Sequence, residues 1–326
     1  MKGFWKNKRV LITGYEGFLG SHLTKRLIEL GAGTFGLDII THRKETILRQ
    51  DLGKIRITKG SVEDFRLVSR LMKANKIEYV FHLAAVSLVH KAQASPLSAF
   101  STNIRGTWNI LEVCRNLPFV KAVIVASSDK AYGAHKKLPY TEEAPLIANH
   151  PYDVSKSCAD LIAHSYFYTY GLPVAVTRCG NIFGPGDFNF SRIVPDAIRC
   201  AFSGETLLIR SNGRFTRDYI FVDDIVNGYL ILAQKLQKLK LGGEAFNFSD
   251  EKPLTVLELI RIIYKISRIP ANYKILNQAK FEIKHQYLSS LKARRVLGWA
   301  PEVSLEQGLK RTIEWYKHNL RARRFL

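Results

Sequence analysis

Two short stretches of this chain hold the side chains most suited to chemistry. Ser127-Ser128-Asp129-Lys130 is followed, after a loop, by Tyr152-Asp153-Val154-Ser155-Lys156. A Tyr and a Lys four apart on a helix share one face. A phenol titrates near 10 and becomes a base only when a neighbouring cation stabilises its phenolate, which Lys156 is spaced to do. The upstream stretch adds a hydroxyl, a possible acid and a possible base. This inventory suits the removal of a proton and a hydride from one alcohol carbon.

Holding those groups requires a framework, and the rest of the chain is patterned to supply one. Its 326 residues, 46% hydrophobic and 24% charged, are enough for one large domain or two lobes around a substantial core. Short apolar runs at Arg9 to Thr13, Thr34 to Ile39, Ile55 to Thr58, Glu78 to Leu83, Ala122 to Ala126 and Pro173 to Thr177 are separated by segments long enough for helical crossovers. Such alternation predicts an α/β fold, a Rossmann-type doubly wound parallel sheet with helices on both faces. After residue 181 the regularity breaks. Strand-like runs at Asp218 to Val222 and Glu244 to Phe248 flank a helical segment, Ile225 to Leu236, and capping-box patterns open two later helices at Thr255 and Ser304. The expected division is a cofactor domain over 1–181, rejoined by 217–245, and a smaller α/β C-terminal substrate lobe from 182–216 and 246–326.

Bulk properties narrow the partners. The net charge of +21, from 49 basic and 28 acidic residues, favours anionic ligands. The basic residues are spread along the chain, and only Arg321-Ala322-Arg323-Arg324 forms a tight cluster. No nucleic-acid module or aromatic-interleaved basic stripe is present, so a cleft for an anionic small molecule is the expectation. A remote alternative is a protein that keeps the fold and binds nucleic acid or an acidic surface. No apolar run reaches the roughly 18 to 20 residues of a membrane span, and Met1-Lys2-Gly3-Phe4-Trp5-Lys6 lacks the core of a signal peptide; a cytoplasmic address is expected. Cys114, Cys158, Cys179 and Cys200 lack metal or redox spacing and read as reduced core thiols, with no metal site.

A cofactor site is written into the first strand-turn-helix unit. Gly14-Tyr15-Glu16-Gly17-Phe18-Leu19-Gly20 follows the first strand. Glycines there let backbone N–H groups approach a pyrophosphate at the helix N-terminus. Asp38, ending the second strand, would accept both hydroxyls of an adenosine ribose and repel a 2′-phosphate, which selects NAD; Arg43 and Lys44 lie close by in sequence. Asp64, after the third strand, suits either the adenine amino group or a helix N-terminus. His82-Leu83-Ala84-Ala85 closes the fourth strand, and its small residues leave room for the nicotinamide half. His82 itself reads as a structural histidine.

With Asn103, Asn181 and Arg217-Asp218-Tyr219-Ile220-Phe221-Val222-Asp223-Asp224 added, nearly the whole chain resembles the extended short-chain dehydrogenase/reductases that act on nucleotide sugars. The resemblance implies NAD held by Gly14, Gly17, Phe18, Leu19, Gly20, Asp38, Asp64, Leu83, Ala84, Ala85, Asn103, Tyr152 and Lys156. It also implies a nucleotide-diphosphate hexose as substrate, with Asn181, Arg192, Arg217 and Tyr287 contacting it. Arg192 sits among apolar residues, as in a buried cleft, whereas Arg217 follows a turn and could equally lie on the surface. A homodimer through helices near Ser98 to Cys114 and Pro151 to Tyr170 is implied too. Of Ser127 and Ser128, the resemblance favours Ser128 as the hydroxyl on the sugar oxygen.

The steps after C4 oxidation divide the family. A 4-epimerase only returns hydride to the other face. A 4,6-dehydratase must also remove the C5 proton and protonate the departing C6 oxygen, which needs two more proton-active groups. Asp129-Lys130 resembles the CDP-glucose 4,6-dehydratase branch, and 4-epimerisation is the alternative. For Lys130 to act as base it must be neutral, a drop of roughly three units from about 10.4 that costs about 4 kcal/mol. Desolvation of a neighbouring carboxyl and amine favours their neutral forms, so a buried Asp129-Lys130 pair supplies both acid and base. A permanent ion pair at the cleft mouth is the competing state.

Overall fold

The computed structural model describes residues 3–279 and 283–323, with only the backbone of 320–323. The side chains of the Arg321-Ala322-Arg323-Arg324 cluster therefore lie outside the described residues. The first half runs β1 (Arg9–Thr13), α1 (Phe18–Glu29), β2 (Gly33–Asp38), β3 (Ile55–Lys59), α2 (Phe65–Ala74), β4 (Tyr79–His82), α3 (Val89–Ala94), α4 (Pro96–Phe100), α5 (Gly106–Arg115), β5 (Ala122–Ala126), α6 (Pro151–Tyr170) and β6 (Val174–Cys179). The second half runs β7 (Asn181–Phe183), α7 (Ile193–Ser203), β8 (Leu207–Ile209), β9 (Thr216–Arg217), β10 (Tyr219–Phe221), α8 (Val222–Lys235), β11 (Ala245–Phe248), β12 (Leu254–Thr255), α9 (Val256–Ser267), β13 (Tyr273–Ile275), β14 (His285–Gln286) and α10 (Leu305–Arg323).

Seven strands form one parallel sheet in the order β11-β6-β5-β4-β1-β2-β3. The order reverses direction between β1 and β4, so their carboxyl ends open onto a crevice where ligands bind in doubly wound sheets. Near-continuous apolar strands such as Ala122–Ala126 are buried because helices cover both faces. One core cluster packs Leu23, Leu27, Tyr229 and Phe248 against one face. A second packs Val68, Leu71, Ile110 and Ala163 against the other.

The remaining strands form small sheets, β10-β7, β12-β9-β14 and β13-β8, around a third core that includes Phe183, Ile198, Ile260 and Ile313. Both capping boxes form. Thr255 and Glu258 bond reciprocally, as do Ser304 and Gln307. Among the described residues no helix is long and apolar enough to cross a membrane.

Candidate active site

Between the sheet's carboxyl edge and the small sheets lies a cleft of about 1460 Å³. Pockets for a single small molecule run to roughly 1,000 Å³, so this one has room for two ligands end to end. One end is built by the glycine turn. Gly14 has φ +71°, a conformation few side-chain-bearing residues adopt, and a Cβ there would meet Ala84 backbone at 3.0 Å. A Cβ on Gly20 would run into the Gly14 carbonyl, so the turn and α1 pack only as glycine. Gly17 caps α1 with no side-chain hydrogen bond and no acidic residue in the first turn, leaving that helix end suited to an anion.

Glu16 holds this turn in place, and the sequence pattern gave no sign of it. Its buried carboxylate accepts from the backbone N–H of His42 at 2.9 Å and Arg43 at 2.8 Å, fastening the loop after β2 to the glycine turn. Asp38 lines the cleft at the end of β2, only 7% exposed, and accepts from Ile40 N at 3.1 Å. Burial raises its carboxyl above the usual range, opposed by the Ile40 bond and by Arg43, whose guanidinium lies 3.7 Å away. A ribose diol offered to Asp38 would replace hydration that burial has removed. Thr13 Oγ1 receives Leu83 N and Ala84 N at 3.2 and 3.1 Å and contacts His82 Nδ1 at 2.8 Å. His82 also meets Thr107 at 3.1 Å, and burial drives its imidazole down to about 3. It is a neutral strut, while Leu83, Ala84 and Ala85 line the cleft.

Three residues assigned to ligands by resemblance stand elsewhere. Asp64 is the N-cap of α2, accepting from Leu67 N at 2.9 Å, and it is exposed outside the cleft lining. Asn103 is buried in a π-type turn between α4 and α5. Its amide clasps Val86 and donates to Ser155 Oγ at 2.8 Å, so it docks α6 rather than lining the cleft. Tyr287 is half-buried, and its carbonyl accepts from Tyr140 N at 3.0 Å; it too is absent from the lining.

At the centre, Tyr152 and Lys156 lie on the buried face of α6, 8% and 6% exposed. Pro151 starts this helix and Gly171, at φ +66°, ends it. Lys156 Nζ donates to the Ala126 carbonyl at the end of β5, 2.7 Å away, and burial lowers its ammonium to about 8. Burial pushes the Tyr152 phenol up to about 12. A hydrogen bond with Ser128 and the charge of Arg192 oppose that rise, while Asp129 and Asp153 add to it.

The chain leaves β5 directly into a tight turn, Asp129–Tyr132, which Ser128 caps by accepting from Lys130 N at 3.2 Å. Ser128 Oγ also donates to Asp129 Oδ1 at 2.9 Å. Asp129 is 4% exposed, and its Oδ2 has no partner among the described residues. Lys130 Nζ reaches Gln286 Oε1 on β14 at 3.2 Å. Among the described residues Asp129 and Lys130 form no ion pair with each other, although they adjoin in sequence. Ser127, by contrast, bonds the Lys156 carbonyl at 3.2 Å, so Ser128 is the hydroxyl next to Tyr152.

Two further acids are buried close to these groups. Asp153, beside Tyr152, is raised to about 6 by burial against the pull of Lys130 and His150. Asp218 is 0% exposed and raised to about 7, by burial first and the nearby Asp129 as well. Across the cleft, Asn181 lies on β7 beside the Asp218 carbonyl. Arg192 is less buried than expected, and Arg217 takes the buried one of the two settings the sequence left open. Arg192 caps α7 with 38% of its side chain exposed, bonded to Asp187 at 3.0 Å, while Arg217 is 9% exposed and bonds the Thr216 carbonyl at 2.8 Å. Both line the cleft.

Comparison with known proteins agrees with this architecture. The chain is 32% identical to the CDP-glucose 4,6-dehydratase of Salmonella typhimurium over 98% of this chain and 94% of that protein. It superposes on UDP-glucose 4-epimerase of Thermotoga maritima with TM-score 0.88 and 29% identity, covering 96% of this chain and 99% of the other. The dTDP-glucose 4,6-dehydratase of Streptomyces venezuelae, solved with NAD bound, gives TM-score 0.87 and 29% identity over 96% and 98% of the two chains. A family model for NAD dependent epimerases and dehydratases matches residues 10–248. Glycine turn, switch-point crevice and buried Tyr-Lys pair thus have a common explanation: this chain belongs to the NAD-dependent epimerase/dehydratase family of enzymes.

Proposed function

We propose that the protein is a nucleotide-sugar 4,6-dehydratase acting on an NDP-hexose such as CDP-glucose. The observation that carries this reading is that Asp129 and Lys130 both line the cleft with Tyr152, directly after Ser128 in the turn that leaves β5. NAD, when bound, supplies the acceptor and later donor of the substrate's C4 hydride. The glycine turn holds its pyrophosphate, Asp38 its adenosine ribose, and Leu83 to Ala85 flank its nicotinamide half. Tyr152 takes the proton from the C4 hydroxyl, with the Lys156 ammonium favouring its phenolate. Lys130 removes the C5 proton, and Asp129 protonates the C6 oxygen so that water departs. Arg192 and Arg217 supply charge-assisted hydrogen bonds to the diphosphate, with Asn181 on the sugar side. The likeness to the Salmonella enzyme supports a cytidine nucleotide.

A 4-epimerase is the second reading, supported by the close superposition on UDP-glucose 4-epimerase. Incubation with NAD and the CDP-, dTDP-, UDP- and GDP-glucoses separates the two by mass. Loss of one water supports the dehydratase; isomerisation at unchanged mass refutes it.

A homodimer is part of the proposal. Leu97 on α4, Trp108 on α5 and Leu161 on α6 are 81%, 44% and 59% exposed, and these three helices pack together, so a second copy would cover their apolar side chains. The four cysteines are free thiols, which suits a reducing, cytoplasmic setting.

A further inference from the structure

We infer that Tyr132 and Arg178, both outside the cleft, are positioning residues for the dehydration half of the reaction: they fix the turn that presents Asp129 and Lys130 in register with Tyr152 and Lys156. The inference rests on the dehydratase reading above. C4 and the C5–C6 bond are neighbouring parts of one hexose, so the groups that serve them must be held at a fixed separation. Lys130 most needs such support. It is half-buried, ends a flexible four-carbon stem, and acts as a base only when its amine is brought within reach of one C5 hydrogen.

The turn Asp129–Tyr132 is fastened at its far end. The Ala131 carbonyl accepts from Ser157 Oγ of α6 at 3.0 Å. Tyr132 is 0% exposed, and its hydroxyl accepts from Arg178 Nη1 at 2.8 Å and donates to Asn247 Oδ1 of β11 at 2.8 Å. Arg178, on β6, has its Nε and Nη2 committed to Asp160 of α6 at 2.8 and 2.9 Å, a bidentate pair that fixes the plane of the guanidinium. Its remaining edge, Nη1, goes to Tyr132 and, at 3.3 Å, to the Glu142 carbonyl. Tyr152, Lys156 and Asp160 are buried at successive fourth positions of α6, so the helix that carries the redox pair also carries the anchor of the turn. The same node secures the partner of Lys130. Tyr132 packs with Tyr140 and Leu288 in a small core of its own. Tyr140 N donates to the Tyr287 carbonyl at 3.0 Å, Ser289 N donates to the Tyr140 carbonyl at 2.8 Å, and Asn247 Nδ2 donates to that carbonyl at 3.0 Å. Gln286, whose Oε1 receives Lys130 Nζ at 3.2 Å, directly precedes this segment. Both ends of the Lys130–Gln286 bond are therefore tied to one buried cluster, with the Arg178–Asp160 ion pair as its fixed point. Tyr132, Arg178, Asp160 and Asn247 are all outside the cleft lining, so they act through the turn and touch no substrate.

The test is a single turnover in heavy water of the NAD-loaded protein with the NDP-glucose, among the CDP, dTDP, UDP and GDP forms, that the wild type dehydrates. NADH absorbance rises with C4 oxidation and falls when hydride returns to C6 after water has left. Tyr132→Phe keeps the ring in its small core and removes only the hydroxyl. Its NADH is expected to form at the wild-type rate within about twofold and to decay about tenfold more slowly, with C5-deuterated product equally delayed and KM within about twofold. Arg178→Lys keeps a charge for Asp160 but has no second arm for Tyr132, and the same split is expected of it. Combining Tyr132→Phe with Gln286→Leu should slow the decay little beyond the slower single variant, since both loosen the same amine. A role confined to the stability of the fold would slow the formation and decay of NADH together in Tyr132→Phe, or change neither. Either result, or a fully multiplicative double variant, overturns the inference while leaving the dehydratase reading intact. Isomerisation without water loss by the wild type ends both.

Discussion

Asp218→Asn should stabilise the protein at alkaline pH and do so less as pH falls. The Asp218 carboxyl is fully buried, and its ordinary value of 3.8 is raised to about 7, chiefly by desolvation. Ser249 Oγ and Leu288 N supply hydrogen bonds to Oδ2, yet Oδ1 has no partner among the described residues. The folded state therefore binds this proton more tightly than the unfolded chain does. Asp218 does not destabilise the fold below about pH 4; its penalty grows as pH rises from there towards 7. A shift of roughly three units at about 1.4 kcal/mol each caps that penalty near 4 kcal/mol. Between pH 5 and 8 the penalty changes by roughly 2 to 3 kcal/mol. The amide carries no charge and keeps an oxygen for Ser249 and Leu288, so the variant escapes this change. For a chain of this length about 1.5 °C of Tm corresponds to 1 kcal/mol, and the Tm advantage should widen by about 3 to 5 °C from pH 5 to pH 8. Calorimetry or urea titration of both proteins at the two pH values reads it. A difference that stays constant with pH, of either sign, would refute the linkage, because packing and hydrogen-bond changes do not titrate.

Three further outcomes are expected of the site and its surroundings. Tyr152→Phe should lower turnover by about 10² to 10⁴ while NAD still binds, measured by cofactor fluorescence; near-normal turnover would remove Tyr152 from the chemistry. Gln286→Leu takes away the acceptor 3.2 Å from Lys130 Nζ, so deuterium uptake at C5 from heavy water should fall several-fold with C4 oxidation unchanged, and equal loss in both steps would mean the residue only supports the fold. Leu161→Asp puts a charge on an exposed apolar face of α6 and should convert the proposed dimer to monomer in light scattering; an unchanged mass would refute an interface through α6.

The sequence made some of this site legible and concealed the rest for physical reasons. Glycines and the strand-helix alternation announce themselves because backbone geometry tolerates few residues at those places, as Gly14 at φ +71° illustrates. Tyr152 and Lys156 are readable because both belong to one helix, where spacing alone places them together. Gln286 and Asp218 are invisible for the opposite reason. Lys130 meets a side chain 156 positions along the chain, and Asp218 acquires its high pKa from burial among segments distant in sequence. Asp64 shows the converse limit: an acidic residue after a strand serves a helix cap and a ligand equally well, and here its carboxylate goes to Leu67 N. Adjacency misleads too, since Asp129 and Lys130 adjoin in sequence but direct their side chains to Ser128 and Gln286.

Ser128 ties the two halves of the chemistry into one mechanical unit. Its hydroxyl caps the turn that presents Asp129 and Lys130, donates to Asp129, and lies beside the phenol that serves C4 oxidation. Removing it should cost about 1 kcal/mol as a lost cap and should also loosen the Asp129 carboxylate and alter the phenol. Effects on a shared hydrogen-bonded group are not additive. Combining Ser128→Ala with Asp129→Asn should therefore lower turnover little beyond the larger of the two separate losses, because each breaks the same Ser128–Asp129 hydrogen bond. Combining Ser128→Ala with Gln286→Leu should give nearly the product of the separate losses in turnover, because Gln286 acts on Lys130 from another strand. If the first pair proves multiplicative, Ser128 and Asp129 act in separate steps, and the turn after β5 is only a scaffold on which two independent catalytic groups happen to stand.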